Sequence, residues 1–203
     1  MRILILADND NYTWTGPIQP VDLVVSCGDV YAPLIIAAAK ACSATQIVAV
    51  KGNHDLPSTF PPLITDLHLR VVTLANGLHL GGFNGSWRYK PKGNFLYSQE
   101  EAAALIGQLP PVDILVAHNS PAGVHERDAD VHQGFAALND YIGRHSPRLL
   151  IHGHQHVNSE TQVGGTRVMG VFGSMVMEVE SPDGTLVHHR GYREDQNENG
   201  DGG

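Results

Sequence analysis

The sequence is poor in cysteine, aromatic residues and charge, and it has no long apolar run. Two cysteines in 203 residues, Cys27 and Cys42, cannot build a disulfide framework. Cys27 ends an apolar run and Cys42 sits in an alanine-rich stretch, so both read as small buried hydrophobes. No run reaches the roughly 20 apolar residues that a membrane-spanning helix needs. The opening segment, residues 1–7, meets Asp8 after too few apolar positions for a signal peptide, which predicts a cytoplasmic protein without membrane association. Lys and Arg number 13 against 21 Asp and Glu, a formal net charge of −8. That excludes a general nucleic-acid binder, which needs a basic face to neutralise phosphates. It leaves open a small phosphate-ester substrate, because bound cations invert a local field. Hydrophobic residues at 42% against 17% charged fit a globular chain. The length fits one domain, expected over residues 1–192, with a polar, frayed tail over 193–203.

What is abundant is histidine, twelve in all, and position decides what each can do. Five apolar runs, 3–7, 21–26, 47–50, 112–117 and 149–151, each lead into a polar cluster. The clusters are Asp8-Asn9-Asp10, Cys27-Gly28-Asp29, Gly52-Asn53-His54-Asp55, His118-Asn119-Ser120 and His152-Gly153-His154-Gln155-His156. Runs that are apolar throughout predict strands buried on both faces. Helices are predicted between them. One covers 32–42. A second covers 98–109, opened by a Ser98/Glu101 capping box and ended by Pro110-Pro111. A third covers 134–145, with Phe135, Leu138 and Ile142 on one side. Strand alternating with helix is the α/β pattern. From residue 157 the texture turns β-rich, with Gly164-Gly165 as a tight hairpin turn and a last strand over 185–189.

In parallel α/β sheets, ligands bind beyond the carboxyl ends of the strands. Asp8, Asp29, Asn53, His118 and the pair His154/His156 should therefore converge on one edge. Each cluster alone could be an Asx turn, a helix cap or a polar loop; all of them together, each at a strand end, point to a site. Carboxylate, carboxamide oxygen and imidazole suit manganese, iron and zinc, and the absence of cysteine from the set argues against a structural zinc site. On an extended segment His154 and His156 would point the same way, with Gln155 opposite.

Gly28-Asp29, Gly52-Asn53-His54-Asp55, the isolated His118 and Gly153-His154-Gln155-His156 closely resemble, in order and strand context, the signature of calcineurin-like metallophosphoesterases. The likeness covers roughly residues 1–176, and the chain looks like a small bacterial member. The resemblance implies two packed mixed β-sheets flanked by helices, a four-layer sandwich. It also implies a dinuclear metal centre. Asp29 would bridge both ions, Asp8 and His156 would hold the first, and Asn53, His118 and His154 the second. His54 would touch the substrate phosphate or protonate the leaving oxygen, oriented by Asp55. One motif departs: the family's Asp-x-His is here Asp8-Asn9-Asp10. The Asp10 carboxylate can still ligate, and an oxygen-rich first site would favour manganese or iron, with zinc, nickel, cobalt or magnesium as further candidates.

Two ions about 3.5–4 Å apart can share a hydroxide and clamp the phosphoryl oxygens during in-line attack. No protein nucleophile is then required, and Ser26 and Ser120 read as loop and cap residues. Arg88 and His132 are candidate substrate-binding residues, the first in the loop 84–90 and the second in the long loop after His118. The expected reaction is phosphodiester hydrolysis, since an alkoxide leaving group benefits from a general acid such as His54. The alternatives are a phosphomonoesterase acting on nucleotides or phosphoproteins, and a metal-binding scaffold without catalysis, which only Asp10 supports.

Overall fold

Each of the five apolar runs forms a strand whose alternate side chains enter two different cores, which is why no polar alternation is visible in them. The computed structural model describes residues 1–16, 18–179 and, for the course of the backbone alone, 186–192. Its elements begin with β1 (Arg2–Ala7), β2 (Leu23–Ser26), α1 (Ala32–Ala41), β3 (Gln46–Ala49), β4 (Thr65–Asp66), β5 (Val71–Thr73), β6 (His79–Phe83), β7 (Ser86–Trp87) and β8 (Leu96–Tyr97). They continue with α2 (Gln99–Ile106), β9 (Ile114–Ala117), a 3-10 turn at Asp130–His132, α3 (Ala136–His145), β10 (Leu149–His152), β11 (Ser159–Val163), β12 (Thr166–Gly170), β13 (Gly173–Val179) and β14 (Leu186–Tyr192).

Two six-stranded mixed sheets result. The first runs β14-β13-β1-β2-β3-β4 and the second β11-β12-β10-β9-β6-β5. In the first, β1 to β4 are parallel and β13 returns antiparallel to β1. In the second, β6, β9, β10 and β12 are parallel.

Ile3, Ile5, Val25 and Val48 of the first sheet share one core with Val116, Ile151 and Met169 of the second. The opposite face of the first sheet packs Leu4, Leu6 and Val24 on Leu34, Ile35 and Ala38 of α1. The opposite face of the second packs Leu115 and Leu150 on Ile106 of α2 and Leu138, Tyr141 and Ile142 of α3. The layers are thus helix, sheet, sheet and helices, as the family resemblance implies. Each fully buried Leu or Ile contributes about 1.5–3 kcal/mol to holding them.

Local signals account for the helix limits. The Ser98 side chain accepts from the Glu101 N–H while the Glu101 carboxylate accepts from the Ser98 N–H, completing the capping box that starts α2. α3 begins at Ala136, two residues later than expected. Gly134 and Phe135 are held outside it, their N–H groups donating to Glu126 and to the Ser120 carbonyl. Gly164-Gly165 makes the two-residue turn joining β11 and β12. The polar tail over 193–203 and residue 185 lie outside the described residues. Among the described residues, no helix is long and apolar enough to cross a membrane.

Candidate metal centre

The carboxyl ends of β1, β2, β3, β9 and β10 meet at one rim. β1 and β2 stay paired just beyond their ends, where Asp8 N–H donates to Gly28 O at 3.1 Å and Asn9 N–H to Asp29 O at 3.0 Å. Both aspartates take a left-handed backbone, φ 49° at Asp8 and 53° at Asp29. Such conformations are uncommon outside glycine and gather where a structure overrides local preference, often at functional sites. Their carboxylates and the His118 ring each offer a ligand atom within 4.8 Å of one another.

The loop after β3 closes on this pair. Asp29 Oδ1 accepts from the His54 backbone N–H at 2.8 Å. Gly52 lies so close that a Cβ there would strike Asp29 Oδ1 and come within 2.6 Å of the His118 ring. Asp55 Oδ2 accepts from the N–H of Gly52 at 2.7 Å and of Asp29 at 2.9 Å. The carboxylate expected to orient the His54 imidazole is thus engaged with backbone and ties two loops together. His54 itself is exposed at the rim.

His118 is fully buried. Its Nδ1 lies 2.9 Å from the Cys27 carbonyl, which can only accept, so Nδ1 carries a hydrogen. Its Nε2 faces Asn53 Oδ1 at 3.1 Å and Asp29 Oδ2 at 3.3 Å. Asn53 is held in turn by its amide, 3.4 Å from the Tyr89 hydroxyl. With Nδ1 as the donor, three electron-pair donors converge without a hydrogen among them. Only a proton on Nε2 or a cation reconciles them, and a histidine anchored through one nitrogen to a carbonyl is the usual form of a metal-ligating histidine.

The Gly-His-x-His segment differs from expectation. It is not extended: His154 (φ 63°) and His156 (φ 49°) are both left-handed. The backbone N–H of His154 donates to Asp8 Oδ2 at 2.7 Å. The ring of His154 packs beside His118, centroids 4.9 Å apart. Its Nε2 donates to the Val131 carbonyl at 2.8 Å, leaving Nδ1 as the electron-pair donor. The His156 ring stacks on Phe172 and brings Nε2 to 3.6 Å from Asp8 Oδ1. That Asp8 oxygen is buried and has no hydrogen-bond partner. Gln155 is buried, its amide donating to Asn119, Ser120 and the His132 carbonyl. Beneath the motif, His152 Nδ1 donates to the Gly153 carbonyl at 2.8 Å and Nε2 accepts from His125 Nδ1 at 2.9 Å.

Charge is distributed accordingly. Burial opposes the ionisation of Asp29, but the neighbouring His118 outweighs it and holds the carboxyl at about 2. Burial likewise opposes the charge on His118, and Asp29 outweighs it, raising the imidazole to about 9. Burial drives His154 and His152 down to about 3, so both are neutral; His154 Nδ1 can offer a lone pair, while that of His152 Nε2 is taken by His125. The cluster therefore fits a divalent cation by the anionic Asp29, the neutral His154 and the orphaned oxygen of Asp8, and on His118 a cation would replace the Nε2 proton.

Two candidates lie elsewhere. Asp10 is exposed and outside the group formed by Asp8, Asp29 and His118. Arg88, expected on substrate phosphate, is occupied by Glu101 and by the Leu96 carbonyl at 3.1 Å. His132 does lie at the rim, its ring 5.7 Å from that of His154. Sequence reasoning missed Tyr89 and the carbonyls of Cys27 and Val131.

Solved structures with the same fold include TT1561 of Thermus thermophilus, at TM-score 0.56 and 14% identity over 85% of this chain and 89% of that one. The phosphopantetheinyl hydrolase PptH of Mycobacterium tuberculosis matches at TM-score 0.55 and 15% identity over 84% and 89%. A zinc complex of Vps29 from Entamoeba histolytica matches at TM-score 0.50 and 13% identity over 90% and 88%. No curated protein sequence matches the chain. The model of the calcineurin-like phosphoesterase superfamily domain matches residues 1–190. That match includes strands of both sheets and every residue of the cluster, and the chain belongs to the calcineurin-like phosphoesterase superfamily.

Proposed function

We propose that the protein is a phosphoesterase dependent on two divalent metal ions, acting on small phosphate esters and on diesters in preference to monoesters. The observation that carries this reading is the meeting of Asn53 Oδ1, Asp29 Oδ2 and His118 Nε2 in a buried place beside the unpartnered Asp8 Oδ1. In this assignment Asp29 would be shared by the two ions, Asp8 and His156 would hold the first, and Asn53, His118 and His154 would hold the second. Bound there, the ions would supply a water of lowered pKa and neutralise the phosphoryl oxygens.

The chain's own residues do the rest by position. The Cys27 and Val131 carbonyls fix which nitrogen of His118 and of His154 is free to ligate. Asp55 holds the loop bearing Asn53 and His54 against that bearing Asp29. It is a positioning residue. His54, whose backbone N–H donates to Asp29 and whose ring is exposed, would give a proton to the leaving oxygen. An open cavity of about 510 Å³ lined by Glu126, Arg127, Asp128, Ala129 and His132 has room for the body of a small substrate.

The test is hydrolysis of bis-p-nitrophenyl phosphate by chelator-stripped protein reconstituted with manganese, iron or zinc. Activity absent in chelator and restored by metal supports the reading. Activity indifferent to chelator, or absent with every metal on diesters and monoesters alike, refutes it.

A further inference from the structure

We infer that His132, through Nδ1, is a ligand of the first metal ion and fills the place that the Asp-x-His pattern assigns to residue 10. This rests on the two-ion reading above. Asp10 is exposed, whereas His132 is half-buried beside His154 and His156, so of the two it is His132 that stands where a further donor could join Asp8, Asp29 and His156.

His132 is positioned to supply it. It ends the 3-10 turn at Asp130–His132, which is fastened to the Gly-His-x-His segment twice. Its Val131 carbonyl accepts from the His154 ring at 2.8 Å, and its His132 carbonyl accepts from the Gln155 amide at 2.7 Å. The His132 ring therefore stands over both motif histidines, with centroids 5.7 Å from His154 and 6.5 Å from His156.

Two buried atoms at this place lack a hydrogen-bond partner, His132 Nδ1 and Asp8 Oδ1. Leaving a buried polar atom unsatisfied costs about 1–3 kcal/mol. Both stand beside His156, whose ring is 6.5 Å from that of His132 and whose Nε2 is 3.6 Å from Asp8 Oδ1; in the tautomer that leaves His132 Nδ1 without a hydrogen, a single cation would satisfy both. The first ion would then have two imidazoles, His132 and His156, and two carboxylates, Asp8 and Asp29. That set is softer than the three-carboxylate shell expected from Asp10, and it admits zinc, cobalt and nickel as readily as manganese or iron.

The test measures metal binding to stripped wild type, Asp10→Ala, His132→Ala, His132→Asn and His132→Gln. The readouts are calorimetric titration with Zn²⁺ and the visible spectrum of the Co²⁺ protein. We expect wild type and Asp10→Ala to bind two ions alike. In His132→Ala one ion should keep its affinity while the other weakens at least 10- to 100-fold, roughly the loss caused by removing even an indirect partner of a ligand, and the cobalt spectrum should change. His132→Asn, whose Oδ1 stands where Nδ1 stood, should recover part of the loss; His132→Gln should not. Two ions held at wild-type affinity with an unchanged spectrum in His132→Ala overturns the inference alone, as does loss of the first ion in Asp10→Ala. Wild type that binds fewer than two ions overturns the two-ion reading and this inference with it.

Discussion

At the scale of single residues, the Asp29–His118 pair sets the chemistry of the site before any metal arrives. His118 is raised from its ordinary 6.5 to about 9, so in ion-free protein its contribution to stability is full below 6.5 and is lost as pH climbs through 9. Asp29 is lowered from 3.8 to about 2, so its contribution is present above 3.8 and is lost as pH falls through 2. The stability gap between wild type and Asp29→Asn, both held in chelator and unfolded with urea, should be widest between about pH 4 and 6.5 and narrow toward pH 9. A gap that widens toward pH 9 contradicts the pairing. His54 makes a different prediction, because its backbone and not its ring is tied to the cluster. His54→Ala should retain its metals and lose turnover by roughly 10²–10⁴-fold. The loss should be largest for alkyl esters and small for nitrophenyl esters, whose leaving group needs no proton. Equal losses on both would assign His54 to binding, and loss of metal would make it a ligand.

At the scale of elements, the strands were legible where they are buried on both faces, since unbroken apolar runs leave no other fold economical. β6 was not, because Gly81 and Gly82 interrupt its run. The structure gives the reason at Gly82, where a Cβ would stand 2.6 Å from Val50 Cγ1 and 2.7 Å from the Leu67 Cβ. The sheets approach too closely there for a side chain, and such an approach leaves no period in the sequence. The motif residues Asp8, Asp29, Asn53, His118 and His154 could be placed because each follows a strand end. The carbonyls that orient two of the histidines could not, because a backbone oxygen has no residue identity and Val131 lies 23 positions from His154. The left-handed conformations at Asp8, His154 and His156 leave no pattern in the sequence, and so the extended His154–His156 expected from it is absent, while Asp10 is exposed. The α2 capping box was legible because both partners lie within one turn. Ser98→Ala should cost about 1 kcal/mol in urea unfolding. Arg88→Ala, which removes the α2 contact with Glu101, should leave the KM for diesters unchanged; a large rise in KM would return Arg88 to the substrate site.

At the scale of the whole molecule, two sheets packed face to face bring five strand ends to one rim, and that convergence is what the family fold supplies. The net charge of −8 opposes the approach of an anionic ester, so in the proposed reading the ions would have to draw it in. Ions that bind only the folded chain also stabilise it, by about 2.7 kcal/mol per site at a hundredfold excess over Kd. The most direct measurement is the number of divalent ions bound per chain, followed by elemental analysis as stripped protein is titrated to maximal diester hydrolysis. We predict two ions per chain at full activity in wild type, and neither full occupancy nor hydrolysis in Asp29→Ala. Full hydrolysis with one ion or none, or two ions and full activity retained in Asp29→Ala, would contradict a bridged two-metal site.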